Sequence, residues 1–152
     1  MRRAERVERS GHWPREKSRG TVTLAFEDRH RRRLQLISDA GESFLLDLPR
    51  ASVLGDGDGL ALSDGGWLAV RAAPEALLEV TAASRDLLLR LAWHLGNRHL
   101  PAQLDENRIL IRDDHVIAVM LEGLGARLRR VHSPFMPERG AYDAAPPHHH
   151  DH

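Results

Sequence analysis

Between Thr21 and Arg71 apolar residues alternate with polar ones: Val22, Leu24 and Phe26, then Leu34 and Leu36, then Phe44, Leu46 and Leu48. A period of two puts successive side chains on opposite faces, so this region predicts short, half-buried strands. Asp39-Ala40-Gly41, the run Gly55-Asp56-Gly57-Asp58-Gly59 and Asp64-Gly65-Gly66 supply turns between them. The pattern predicts a small antiparallel β domain over 20–73. Its basic segment, Asp28 to Arg33 (DRHRRR), is expected to be a solvated hairpin loop. No aromatic residues accompany it for base stacking, which argues against nucleic acid.

The pattern changes at Pro74, a plausible hinge. Leu87, Leu88, Leu91, Ala92 and Leu95 fall at i, i+1, i+4, i+5 and i+8, with Gly96 after them. Val116, Ile117, Met120, Leu121 and Leu124 repeat that spacing, with Gly125 after them. Both runs predict amphipathic helices stopped by glycine. Each follows a short apolar strand (LLEVTA, RILIR) and precedes another candidate strand. Two such halves predict an α+β chain whose second domain, over 74–135, is a ferredoxin-like β-α-β-β-α-β unit. Residues 1–19 are expected to be a polar extension, and 136–152 a flexible tail containing histidines.

Composition narrows the chemistry. Lys+Arg and Asp+Glu balance at 22 each over 152 residues, so no global field steers the chain to nucleic acid or an anionic membrane. There are no cysteines, so any metal must take nitrogen and oxygen ligands. The first twenty residues lack an apolar core for a secretory signal, and no run of about 18 apolar residues occurs to span a membrane. The expectation is a soluble cytoplasmic protein.

Ten histidines are the anomaly. His148, His149, His150 and His152 sit in the closing HHHDH, which reads as an expression scar, an idle solvated tail or a metal-collecting arm. Such an array suits Ni(II), Cu(II) and Zn(II). His115, in DDHV, falls where the second helix begins, with Asp113 or Asp114 as its cap. The helix dipole there disfavours imidazolium, so His115 is either a ligand-ready base or a surface residue filling the first turn. His94 and His99 lie about 140° apart on an ideal helix and are not a chelating pair. Turn chemistry accounts for Asn97 but not for His99, fixed in a short loop before Leu100-Pro101. One histidine does not hold a metal alone, but a two-fold axis would bring a second copy to it. His12 and His30 read as surface residues, and His132 as an auxiliary ligand at most. No G-x-S-x-G elbow, phosphate loop, H-E-x-x-H or dinucleotide fingerprint is present. Ser133 beside His132 assembles no nucleophile, base and oxyanion hole, so catalysis is not expected.

FLLDLPRASVLGDGDGL in the first domain, with LLEV, LAWHLGNRHLPAQ, RDDHVIAVMLEGLGA and PFMPERGAY in the second, resembles the UreE family of urease accessory proteins. HLGNRH and PF-x-PE-x-GAY are the most specific parts. The resemblance runs from about Thr21 onward and implies a nickel metallochaperone for urease assembly. Its first domain would be likened to a peptide-binding domain, and it would form a homodimer through the second. It further implies that His99 meets its symmetry mate around nickel, that tail histidines add ligands, and that His115 belongs to a secondary site. Where some members have a histidine two places earlier, this chain has Asp113, so a carboxylate would stand in for an imidazole. The implied partners are the urease accessory GTPase and the apo-urease complex, with a metal-bridged tetramer as a further state. A peptide-binding co-chaperone and a plain Ni/Zn buffer are the competing readings.

Overall fold

The computed structural model describes residues 1–138. The chain divides into two compact units, Met1–Ala73 and Pro74–His152.

Unit 1 is a six-stranded sheet: β1 (Arg3–Glu8), β2 (Ser18–Leu24), β3 (His30–Ile37), β4 (Ser43–Val53), β5 (Gly59–Leu62) and β6 (Trp67–Ala72). The strands lie in the order β2-β6-β5-β1-β4-β3. Ala4, Val22, Leu36, Leu46, Leu60 and Val70, one from each strand, belong to a single buried cluster. A sheet whose one face packs against itself must curl, and this one forms a half-barrel.

Three expectations for this unit need correction. The sheet is mixed and not purely antiparallel, because β1 runs parallel to β4 and β2 parallel to β6. The stretch read as a polar extension contains β1, seated between β5 and β4. Only Ala4 (buried) and Val7 (half-buried) face inward there, too sparse a pattern to announce a strand. The segment read as a charged loop divides between a short helix, α1 (Phe26–Arg29), and β3. Within it Arg29 is fully buried, its Nε donating to Leu24 O and its Nη1 to Leu54 O, both at 3.1 Å. A guanidinium tolerates burial when carbonyls satisfy its donors.

A second buried charge closes the N-terminal loop. Asp58 accepts from Arg9 Nη1 (2.8 Å), Gly55 N (2.8 Å) and Ser10 N (3.0 Å). Beside it Trp13 stacks on Trp67 with centroids 5.6 Å apart and donates Nε1–H to Gly57 O at 3.0 Å. The indole lies flat over Gly59, where a Cβ would collide with it.

Unit 2 comprises β7 (Pro74–Thr81), α2 (Arg85–Asn97), β8 (Gln103–Leu104), β9 (Ile109–Arg112), α3 (His115–Gly123) and β10 (Arg127–Pro134). Its four strands are antiparallel, in the order β10-β7-β9-β8. Ser84 Oγ caps α2 through Leu87 N, and Asp114 Oδ1 caps α3 through Ile117 N, both at 3.1 Å. Each such cap is worth about 1 kcal/mol. Both helices cover one face of the sheet: Leu91, Leu95, Ile117 and Leu121 pack in one cluster with Leu78, Val80, Ile109 and Ile111.

Alternation puts Leu77, Glu79 and Leu110 on the other face. There Glu79 accepts from Arg129 Nε and Arg108 Nη1, both at 3.0 Å. Arg108 Nε reaches Asp105 at 2.9 Å, and Gln103 Nε2 donates to the same carboxylate at 3.1 Å. The Arg129 and Arg108 hydrogen bonds hold the Glu79 carboxyl below its ordinary value.

Two outcomes are expected. Gly59→Ala should destabilise unit 1 by about 1–3 kcal/mol through overpacking against Trp13, read by denaturant unfolding and tryptophan emission. Glu79 has a depressed folded pKa, so its contribution is complete above about pH 4.3 and is lost as pH falls through the folded value. Glu79→Gln should therefore flatten the acid limb of the stability profile. An unchanged limb would remove Glu79 from it.

Candidate metal centre

Each helix of unit 2 ends in the same hydrogen-bonded closure. In α3 the N–H of Gly125 donates to Glu122 O and that of Ala126 to Leu121 O, both at 3.0 Å. In α2 the N–H of His99 donates to Gly96 O (3.0 Å) and that of Leu100 to Leu95 O (3.2 Å). This closure needs a left-handed residue one place past the cap, usually glycine. Gly125 fills that place at φ +99° and His99 at φ +59°. Among the described residues His99 is the one non-glycine residue with positive φ. A side chain there costs roughly 1 kcal/mol or more.

Gly96 therefore does not stop α2, which continues to Asn97. The two helices correspond by their buried residues, Leu91 with Ile117 and Leu95 with Leu121, which sets His99 opposite Gly125. Aligning the runs on their glycines shifts the match by three residues and hides it. The missed signal was the pair of deep leucines, each four residues before the left-handed position.

His99 is exposed at this helix end. Leu89 and Trp93, one turn apart on α2, are 67% and 65% exposed, and Val116 and Val119 on α3 are 71% and 55% exposed. The apolar side chains that the sheet does not use thus lie on the outer faces of both helices. Trp93 meets the half-buried His94 ring edge-on, with centroids 5.2 Å apart.

The remaining candidates stand apart. His115 is the exposed first residue of α3, and Asp114, not Asp113, caps that helix. The Asp113 carboxylate faces Arg130 Nε at 3.6 Å. His132 is exposed on β10, opposite Ala76. Among the described residues no three His, Asp or Glu side chains come together as a metal-holding group. His148, His149, His150 and His152 lie outside the described residues.

If His99 holds a strained glycine position, His99→Gly should raise the stability of unit 2 by about 0.5–1 kcal/mol, and Gly125→Ala should lower it by about 1 kcal/mol. Chemical denaturation of both variants checks this. A destabilised His99→Gly protein would mean that the imidazole makes contacts outweighing the backbone strain.

Comparison with known proteins agrees with the motifs. Residues 2–73 match the family described as UreE urease accessory protein, N-terminal domain, and residues 75–152 its C-terminal domain. The urease accessory protein UreE of Chelativorans sp. (strain BNC1) is 56% identical over 131 residues, 86% of this chain and 81% of that protein. That of Rhodopseudomonas palustris (strain HaA2) is 51% identical over 148 residues, 97% of this chain and 67% of the relative. That of Ruegeria pomeroyi is 48% identical over 146 residues, 96% of this chain and 95% of the relative. With both domains matched in order and about half of all positions shared, the chain belongs to the UreE family of urease accessory proteins, which are nickel chaperones and not enzymes.

Proposed function

We propose that this protein carries Ni(II) as cargo and hands it over for assembly of the urease metallocentre, with His99 as the central ligand. The observation that carries the reading is the placement of His99. An imidazole kept at a left-handed position where glycine would be cheaper, on an exposed helix end, is strain of the kind retained for function. Imidazole nitrogen is a suitable donor for Ni(II), Zn(II) and Cu(II), and no thiolate competes with it.

One protomer does not complete the site. The exposed stripe of Leu89 and Trp93 on α2, with Val116 and Val119 on α3, offers an apolar surface for a second copy. A two-fold axis near the end of α2 would pair His99 with its symmetry mate. His148, His149, His150 and His152 then supply further nitrogen ligands, and a metal-bridged tetramer is a higher state of the same assembly. The β-α-β-β-α-β order, with strands β10-β7-β9-β8, fits a ferredoxin-like domain built for this pairing. A secondary site at His115 would draw on Asp113, whose carboxylate faces Arg130 Nε at 3.6 Å, or on His132. Family membership supports the further reading that delivery is to the accessory GTPase and apo-urease in the cytoplasm.

Calorimetric Ni(II) titration of the full chain, of His99→Ala and of a chain ending at Pro147 tests this. The chain ending at Pro147 should keep about one tight Ni(II) per dimer, the two-fold stoichiometry. His99→Ala should lose that ion and fail to support urease activation. Tight binding that survives in His99→Ala, or vanishes with the tail alone, would sink the interface site.

A further inference from the structure

The arginines of unit 1 are unevenly neutralised. Arg2, Arg3, Arg9 and Arg19 each meet a carboxylate at 2.8–3.0 Å. The end of the sheet where β3 begins is different. Arg31 reaches Asp28 only at 3.9 Å, and Arg33 reaches Asp47 at 3.5 Å, a carboxylate that Arg3 already holds at 3.0 Å. Arg32 and Arg50 have no carboxylate partner among the described residues. The one hydrogen bond recorded for either runs from Arg32 Nη1 to Leu48 O at 3.3 Å. All four arginines are exposed, and so is His30 beside them.

The backbone accounts for the crowding. Arg31 pairs with Ser52 and Arg33 with Asp47, so Arg32 alone faces Leu48, Pro49, Arg50 and Ala51. Such a bulge leaves residues outside the ladder and re-aims their side chains. Pro49 has no N–H to restore the pairing. Arg50 is thereby set opposite Arg32, adding charge where like charges already repel. Charge on an edge strand such as β3 deters pairing with another edge. That duty does not extend to Arg50, which stands on β4, between β1 and β3. Nor is the cluster a by-product of a basic chain, whose formal net charge is zero.

We propose that His30 to Arg33, with Arg50, form a docking surface for an acidic protein surface of the urease assembly complex. The proposal rests on the delivery reading and adds where this chain grips the acceptor side. Charge complementarity selects the partner: unneutralised guanidinium groups accept carboxylates in bidentate fashion and steer an acidic surface into contact. A nucleic acid is disfavoured because Phe26, the ring closest in sequence, is half-buried with the Arg29 guanidinium 5.7 Å from its centroid. A membrane is disfavoured because no large apolar side chain is exposed within 26–33 or 48–53.

The test measures association of the full chain with immobilised apo-urease accessory complex, purified from cells lacking this protein. Three proteins are compared: native, Arg32→Glu/Arg50→Glu, and the control Arg15→Glu/Lys17→Glu. The control makes the same change in charge at exposed residues before the Ser18 end of β2, whereas the patch lies at the Leu24 end, where Arg29 Nε meets Leu24 O. The expected result is association about tenfold slower for Arg32→Glu/Arg50→Glu at low salt, with the control close to native. The gap should close at about 1 M salt, where charges are screened beyond about 3 Å. Ni(II) affinity should be the same in all three, which also shows that the variants keep their fold. A native rate in the patch variant, or equal slowing in the control, would overturn the proposal alone. So would binding of native protein to RNA or anionic vesicles that the patch variant loses while its binding to the complex persists. A native protein that does not bind the complex at all would overturn the delivery reading, and the proposal with it.

Discussion

The burial of Leu95 and the backbone closure built on it govern the business end of unit 2. Leu95 is sealed in the helix-side core, its carbonyl accepts from Leu100 N–H, and Leu100 packs against the same cluster. Full burial of a leucine is worth about 1.5–3 kcal/mol, and Leu95 and Leu100 together outweigh the roughly 1–2 kcal/mol cost of one left-handed side chain. Packing wins, and the chain at His99 takes the conformation that the closure demands. The backbone of His99 is thereby set at φ +59° while its ring stays exposed to solvent.

The two faces of the unit 2 sheet are covered differently. One face carries the helices and hence His99. The other carries the ion network through Glu79, Arg108 and Asp105. Each charge in that network has a partner within hydrogen-bonding range, so the half-buried carboxylate of Glu79 costs little. Unit 1 uses the same rule more severely. Arg29 and Asp58 are both buried and both satisfied mainly by backbone groups, which ties remote loops together without a second apolar layer.

If the proposed site is shared between two protomers, half of its ligands would belong to each chain, and its geometry and affinity would depend on the pairing of two apolar helix faces and not on one preformed cage. Such a site would tolerate exchange of ligands, because no single protomer would surround the ion. The outward-facing Trp93 and Val116, exposed in the single chain, would be covered by that pairing.

Much of this was legible in the amino-acid sequence. Period-two alternation located β3 and β4, the buried leucine spacing located α2 and α3, and the absence of cysteine restricted the ligands to imidazole and carboxylate. HLGNRH and PF-x-PE-x-GAY were enough to identify the family. Local patterns report which residues seek burial, and motifs report chemistry. What stayed hidden was settled by contacts between distant parts of the chain. β1 has too few apolar residues to be seen, and becomes a strand because β4 and β5 flank it. Arg29 looks like a surface charge until carbonyls from two other segments surround it. His99 looks like a loop residue after a glycine stop until Leu95 is buried and carries the helix one residue past Gly96. In each case the deciding energy comes from partners far away in sequence, and only the folded chain brings them together.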